Sequence, residues 1–224
     1  MRSYEPLVNE WTARLARRPA RDPAAARAAN GNSMARVIEI AEELDLRDEG
    51  TARHCRTVAR YAESIARELD LADDVVEAVR LAGLLHDVGK IGIPGVIVAK
   101  PGPLSAEEWA EMQNHPRIGA GILEDAGLED IRDWILAHHE RPDGRGYPRG
   151  LSDDEIPLEA KILAVADAYE AMTNDRCYRR SIGRERAVAE LRRHAGRQFD
   201  WAVVEAFIAV LDRDELQSAP NGAL

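Results

Sequence analysis

From Asp74 to Val88 the chain is apolar on nearly every side of a helical wheel, and no other run constrains the fold as tightly. A helix without a polar face has to be enclosed by other elements. The rest of the sequence offers them as further helices. His54, Val58, Tyr61, Ala62, Ile65 and Leu69 form an apolar stripe at helical spacing, with Thr51 expected as its N-cap. The buried run is expected to stop at Gly89, with a loop through Pro94 to Pro103. Ser105 and Glu108 make a capping box for the next helix, and Pro116 suits the first position of a helix over 116–125. Leu128, Ile131, Trp134, Ile135, His138 and His139 again repeat at helical spacing. Ser152 and Glu155 form a second box, with Pro157 moving the helix start to about 158. Helices over 158–173, 184–195 and 200–211 complete the chain. Nothing reads as strand-rich, so the expected fold class is all-α. Residues 32–212 read as one domain. A 1–31 extension precedes it, where Leu7, Trp11 and Leu15 permit a short amphipathic helix, and a polar 213–224 tail follows.

Charge and cysteine usage narrow the function classes. A net charge of −10 argues against a nucleic-acid polymer as partner, since such binders carry a basic footprint. Charge is nevertheless uneven: between Arg176 and Arg197 stand eight arginines against two glutamates. For most of them a solvated helix face is the ordinary explanation, yet a basic rim on an acidic protein also focuses small anions. Apolar stretches are broken by charge well short of the roughly 20 residues a membrane helix needs, so no membrane partner is expected. Residues 1–30 hold no apolar core of a signal peptide. Cys55 and Cys177 are far apart and fit no metal spacing. Together these features point to a cytoplasmic chain with reduced thiols.

The residues that stand out are histidines and aspartates on apolar faces. His54 opens its stripe, His86 and Asp87 end the most apolar helix, and His115 lies just ahead of Pro116. His138 and His139 extend the Ile131, Trp134, Ile135 face, and Asp167 directly follows Ile162-Leu163-Ala164-Val165-Ala166, among small and apolar residues. Any one alone reads as a satisfied core residue. Together they do not, because a buried carboxylate costs several kcal/mol unless something pairs with it. Imidazole with carboxylate is a ligand set for divalent transition metals. Adjacent helical residues diverge by about 100°. The pairs His86/Asp87 and His138/His139 are therefore each expected to serve two neighbouring ions rather than crowd one.

The order His54, His86-Asp87-Val88-Gly89-Lys90, His115-Pro116, His138-His139-Glu140, Asp143-Gly144-Arg145-Gly146-Tyr147-Pro148, Asp167-Ala168-Tyr169, Arg176-Cys177-Tyr178-Arg179 resembles the HD-GYP branch of the HD hydrolases. The resemblance runs from about residue 33 to 211, and the string at 138–148 is its most specific part. It implies an HD-type helical bundle that hydrolyses cyclic di-GMP to pGpG and, in many members, to GMP. By matching position, one ion is held by His54, His86, Asp87 and Asp167, the other by Asp87, His115, His138 and His139, with Asp87 bridging. Fe, Mn, Zn and Ni all suit such a site. Lys90 is expected to reach the phosphate or leaving oxygen. Gly146, Tyr147 and Pro148 are expected to line the substrate pocket, and Arg176 and Arg179 to hold phosphate oxygens bidentately. Position 179 is often lysine in the family, and Glu170 stands where aspartate is common. Some members hold a third ion with a glutamate four residues before the first histidine. Here that position is Gly50, and Glu49 is one residue out of register, so a binuclear centre is expected.

Two other readings compete. One is an HD hydrolase of another cyclic dinucleotide or nucleotide. The other is a degenerate module that binds the dinucleotide without cleaving it, although such modules usually lose ligands and all seven are present here. The resemblance leaves room for a homodimer or a signalling-protein partner.

Overall fold

The computed structural model describes residues 49–175 and 180–218, without the side chains of 49–52 and 214–218. The 1–31 extension, Arg176, Arg179 and most of the 213–224 tail lie outside the described residues or their side chains. The fold is all-helical, and the described residues form no β-strand, only isolated bridges pairing Asp143 with Ser152 and Ala195 with Phe199.

The apolar run forms α2, Asp73–Leu85, and buries Val76, Ala78, Val79, Leu81, Ala82, Gly83, Leu84 and Leu85. It pairs most extensively with α1, Glu49–Glu68, whose Val58, Ala62 and Ile65 are fully enclosed. The α1–α2 approach is close: a Cβ on Gly83 would stand 2.6 Å from the Ala59 Cα. Thr51 is not the cap of α1 but lies inside it, the helix already running at Glu49.

Other boundaries also move. Helix α2 ends at Leu85 with His86 as its C-cap, short of the expected Gly89, and Val88–Gly92 tightens into a 3-10 turn. The expected 94–103 loop contains a four-residue helix, α3, Gly95–Val98. Helix α4, Ala106–Met112, starts on the Ser105/Glu108 capping box, and α5, His115–Asp125, carries Pro116 in its first turn. Helix α6 is Glu129–Ala137. The Ser152/Glu155 box is present but closes a 3-10 turn, Asp153–Glu155, and α7 follows over Leu158–Thr173. Helices α8, Arg184–His194, and α9, Trp201–Ser218, end the description, α9 running beyond the expected 211.

Helices α1, α7 and α9 meet through Tyr61, Tyr169 and Phe207, whose rings pack edge to face at 4.9–5.4 Å. This aromatic knot fixes α7 against α1, and so fixes Asp167 and Glu170 opposite His54. Among the described residues no helix is long and apolar enough to cross a membrane.

Candidate metal centre

The polar residues at the inner helix ends converge. His54 comes from α1, His86 and Asp87 from the end of α2, His115 from the start of α5, His138 and His139 from the end of α6, and Asp167 from α7. One group of ligand atoms comprises His54, His86 and Asp87, a second His115, His138 and His139. Asp87 stands between them: Oδ2 lies 3.6 Å from His54 Nε2 and 3.5 Å from His86 Nε2, while Oδ1 lies 3.6 Å from His115 Nε2. Asp167 Oδ1 adds a second carboxylate 3.2 Å from His54 Nε2.

Backbone carbonyls set the tautomers. The Nδ1 of His86, His115 and His138 lies 2.8, 2.8 and 2.5 Å from the carbonyl oxygens of Gly83, Met112 and Ile135, each three residues earlier. Only a protonated Nδ1 can donate there, so each Nε2 presents a lone pair to the centre. His86 Nε2 is buried with no hydrogen-bond partner. His115 Nε2 and His138 Nε2 face one another at 3.4 Å, and two lone pairs so placed repel. Buried, orphaned and mutually repelling acceptors fit a cation, and the donor set of imidazoles with carboxylates suits a divalent transition metal.

The electrostatics agree. Burial pushes His115 down to about 4, and burial with the neighbouring His115 pushes His139 down to about 3. His138 falls well below the imidazole range through burial and then through His139 and His115. All three are thus held neutral, the form that ligates metal. His54 behaves oppositely: burial disfavours its charge, but hydrogen bonds to Asp167 and Glu170 and the charges of Asp167 and Asp87 raise it to about 9. The carboxylates around it call for positive charge, from a proton or from an ion. Burial opposes ionisation of Asp87, yet Lys90 and the imidazoles outweigh it and hold the carboxyl well below its usual range.

The pairing expected from helical divergence is corrected here. His138 and His139 join the same group rather than serving two ions, with ring centroids 4.0 Å apart. His86 and Asp87 share the first group, while Asp87 also turns Oδ1 toward His115 in the second.

The flanking residues take defined places. Lys90 Nζ donates to Asp87 Oδ2 at 2.6 Å. Gly89 lets this corner press on α5, since a Cβ there would lie 1.9 Å from the His115 carbonyl oxygen. Tyr147 stacks at 30° on His139, centroids 4.8 Å apart, and burial with the nearby Asp167 and Asp87 charges keeps its phenol protonated. Gly146 allows the loop to close on Glu140, whose Cα would sit 2.4 Å from an added Cβ.

Two residues that the sequence did not mark as site members support the centre. Glu140, buried, accepts from the backbone N–H groups of Arg149 at 2.6 Å and Leu151 at 2.9 Å, and so ties down the loop carrying Tyr147. Glu170, also buried, pairs with His54 Nδ1 at 2.5 Å and accepts from Asn174 Nδ2 at 3.1 Å. The carboxylate thereby holds the Nδ1 proton and turns His54 Nε2 inward, as partners of metal-bound histidines do. Its position in the DAYE segment, where the family often has aspartate, was the available signal.

An all-helical bundle closing on clustered histidines and two aspartates defines a metal-dependent HD-type protein. The HD domain family model matches residues 37–203, and the chain belongs to that family. It is 40% identical over 176 residues to a cyclic di-GMP phosphodiesterase of Thermotoga maritima, covering 77% of this chain and 48% of that protein. It is 36% identical over 175 residues to the 3'3'-cGAMP-specific phosphodiesterase 2 of Vibrio cholerae, covering 77% of this chain and 34% of that one. A solved cyclic GMP-AMP specific phosphodiesterase of V. cholerae shares the fold, with a TM-score of 0.60 at 18% identity, over 84% of this chain and 50% of that one. The chain spans about half the length, or less, of the curated relatives it matches.

Proposed function

We propose that this chain is a binuclear metal phosphodiesterase that hydrolyses cyclic di-GMP to linear pGpG. The observation that carries the reading is the convergence of the His86, His115 and His138 lone pairs around Asp87, beside the Gly146-Tyr147-Pro148 loop. His54, His86, Asp87 and Asp167 would hold one ion and Asp87, His115, His138 and His139 the other; Asp87 turns Oδ2 toward His54 and His86 and Oδ1 toward His115. Two such ions supply Lewis acidity toward a phosphate oxygen and lower the pKa of water at neutral pH.

The protein's own groups do the rest. Glu170 keeps the proton on His54 Nδ1, and the carbonyls of Gly83, Met112 and Ile135 keep protons on the Nδ1 atoms of His86, His115 and His138. Lys90 balances the charge on Asp87 and would reach the phosphate or the leaving oxygen of a bound substrate. Tyr147, kept protonated, offers a neutral O–H in the pocket formed with Gly146 and Pro148. Arg176 and Arg179 grip phosphate oxygens by charge-assisted contacts. The catalytic unit is the 32–212 domain, acting in the cytoplasm.

The 36% identity to a 3'3'-cGAMP-specific enzyme supports a second substrate, cyclic GMP-AMP, on the same centre. Anaerobically purified protein, analysed for metal and assayed by product chromatography on both dinucleotides, tests the reading. Metal-dependent pGpG from cyclic di-GMP is expected. Cleavage of cyclic GMP-AMP alone would favour the second substrate, and binding without turnover would mean a sensor module.

A further inference from the structure

Helix α4 is held in place without a core. None of its residues is buried; its position rests on the Ser105/Glu108 capping box and on Lys100 Nζ, 2.5 Å from Glu108 Oε2. What it presents is Trp109, 47% exposed, where a large apolar ring in water is costly. Trp109 is not isolated. Its ring meets Tyr147 at 79° with centroids 6.0 Å apart, and Tyr147 in turn lies on His139. From the other side, Arg117 Nη2 on α5 donates to the Pro148 carbonyl at 3.0 Å and steadies the same loop. Two aromatic walls therefore meet at a near right angle one ring away from the metal ligands, and one of them is half open.

We infer that Trp109 is a base-stacking residue for the incoming dinucleotide, forming with Tyr147 an aromatic corner that takes a purine. The proposal rests on the phosphodiesterase reading. A nucleotide carries its base on the far side of the sugar from the phosphate, so a base must lie beside the reacting centre rather than in it. The corner lies beside the ligands, Tyr147 packing on His139 and Trp109 on Tyr147. A flat purine laid on one wall meets the other edge-on, the arrangement aromatic groups favour. Stacking reads a π-face and not the base edges, so Trp109 confers affinity for purines without selecting guanine over adenine.

The test compares Trp109→Ala, Trp109→Leu and Trp109→Phe with the wild type in metal content and in KM and kcat on cyclic di-GMP and on 3'3'-cGAMP. Loss of the platform is expected to raise KM at least about fivefold on each dinucleotide the wild type cleaves, the low end of what base–aromatic stacking contributes. It should do so while metal content holds and kcat falls less than KM rises. Phe should recover most of the affinity. Leu, which fills space without a π-face, should behave like Ala. Unchanged KM in Trp109→Ala overturns the proposal, and so does full recovery by Leu, which would make Trp109 a prop for Tyr147. A wild type inactive on both dinucleotides would instead overturn the phosphodiesterase reading, a separate failure visible before any variant is compared.

Discussion

At the scale of single residues, the centre is governed by who holds the Nδ1 protons. Three histidines lean on backbone carbonyls that no side-chain substitution removes. His54 leans on a side chain, Glu170, and is the one whose orientation can be tested directly. Glu170→Gln keeps an oxygen that can accept from Nδ1 but removes the charge that strengthens His54 as a ligand. Outer partners of this kind are worth about ten- to a hundredfold in metal affinity. Metal competition titration should show a loss in that range, with the helical content of the protein unchanged. An unaltered affinity would make Glu170 a packing residue only. Glu170 shows why part of the site escapes sequence reading: its partner is 116 positions away, and no local pattern reports such a pairing. The seven histidine and aspartate candidates were legible because each breaks an apolar face within a few residues of itself.

At the scale of elements, what was legible was again local. The Ser105/Glu108 box and the first-turn Pro116 are visible in a four-residue window and stand where expected. The ends of α2 and α6 were not legible, since apolar periodicity continues past Leu85 and Ala137, whereas the regular helices stop there with His86 and His138 as helical caps. Helix α1 runs unbroken from Glu49, so Gly50 is one turn before His54 on the same helix and has no side chain to offer. A third ion beside the proposed pair therefore has no ligand from that position. Anomalous scattering from crystals soaked in excess Mn should show two peaks per chain. A third well-occupied peak coordinated by Glu49 would contradict this.

At the scale of the whole molecule, the candidate ligands tie together α1, the α2 corner, α5, α6 and α7, elements that otherwise meet mainly through apolar packing. An ion bound only by the folded chain adds about 2.7 kcal/mol when present at a hundred times its Kd. In a protein of this size that is roughly 5–10 °C in Tm. Calorimetry before and after chelation should show a fall of that order per site, reversed on returning metal. No shift on chelation would mean that the ligands are not engaged. The bundle itself should survive, since the knot of Tyr61, Tyr169 and Phe207 and the apolar α1–α2 packing of Val58, Ala62 and Ile65 against α2 contain no ligand.

Asp87 is the residue that joins the two halves of the centre, its two oxygens facing the two ligand groups. Asp87→Ala, purified anaerobically beside the wild type, can be measured for metal per chain, helical content and turnover of cyclic di-GMP. The wild type should carry two ions and cleave the dinucleotide, while the variant keeps its helices, loses metal and shows no turnover. An Asp87→Ala protein that retains two ions per chain and full activity would contradict the bridged binuclear centre.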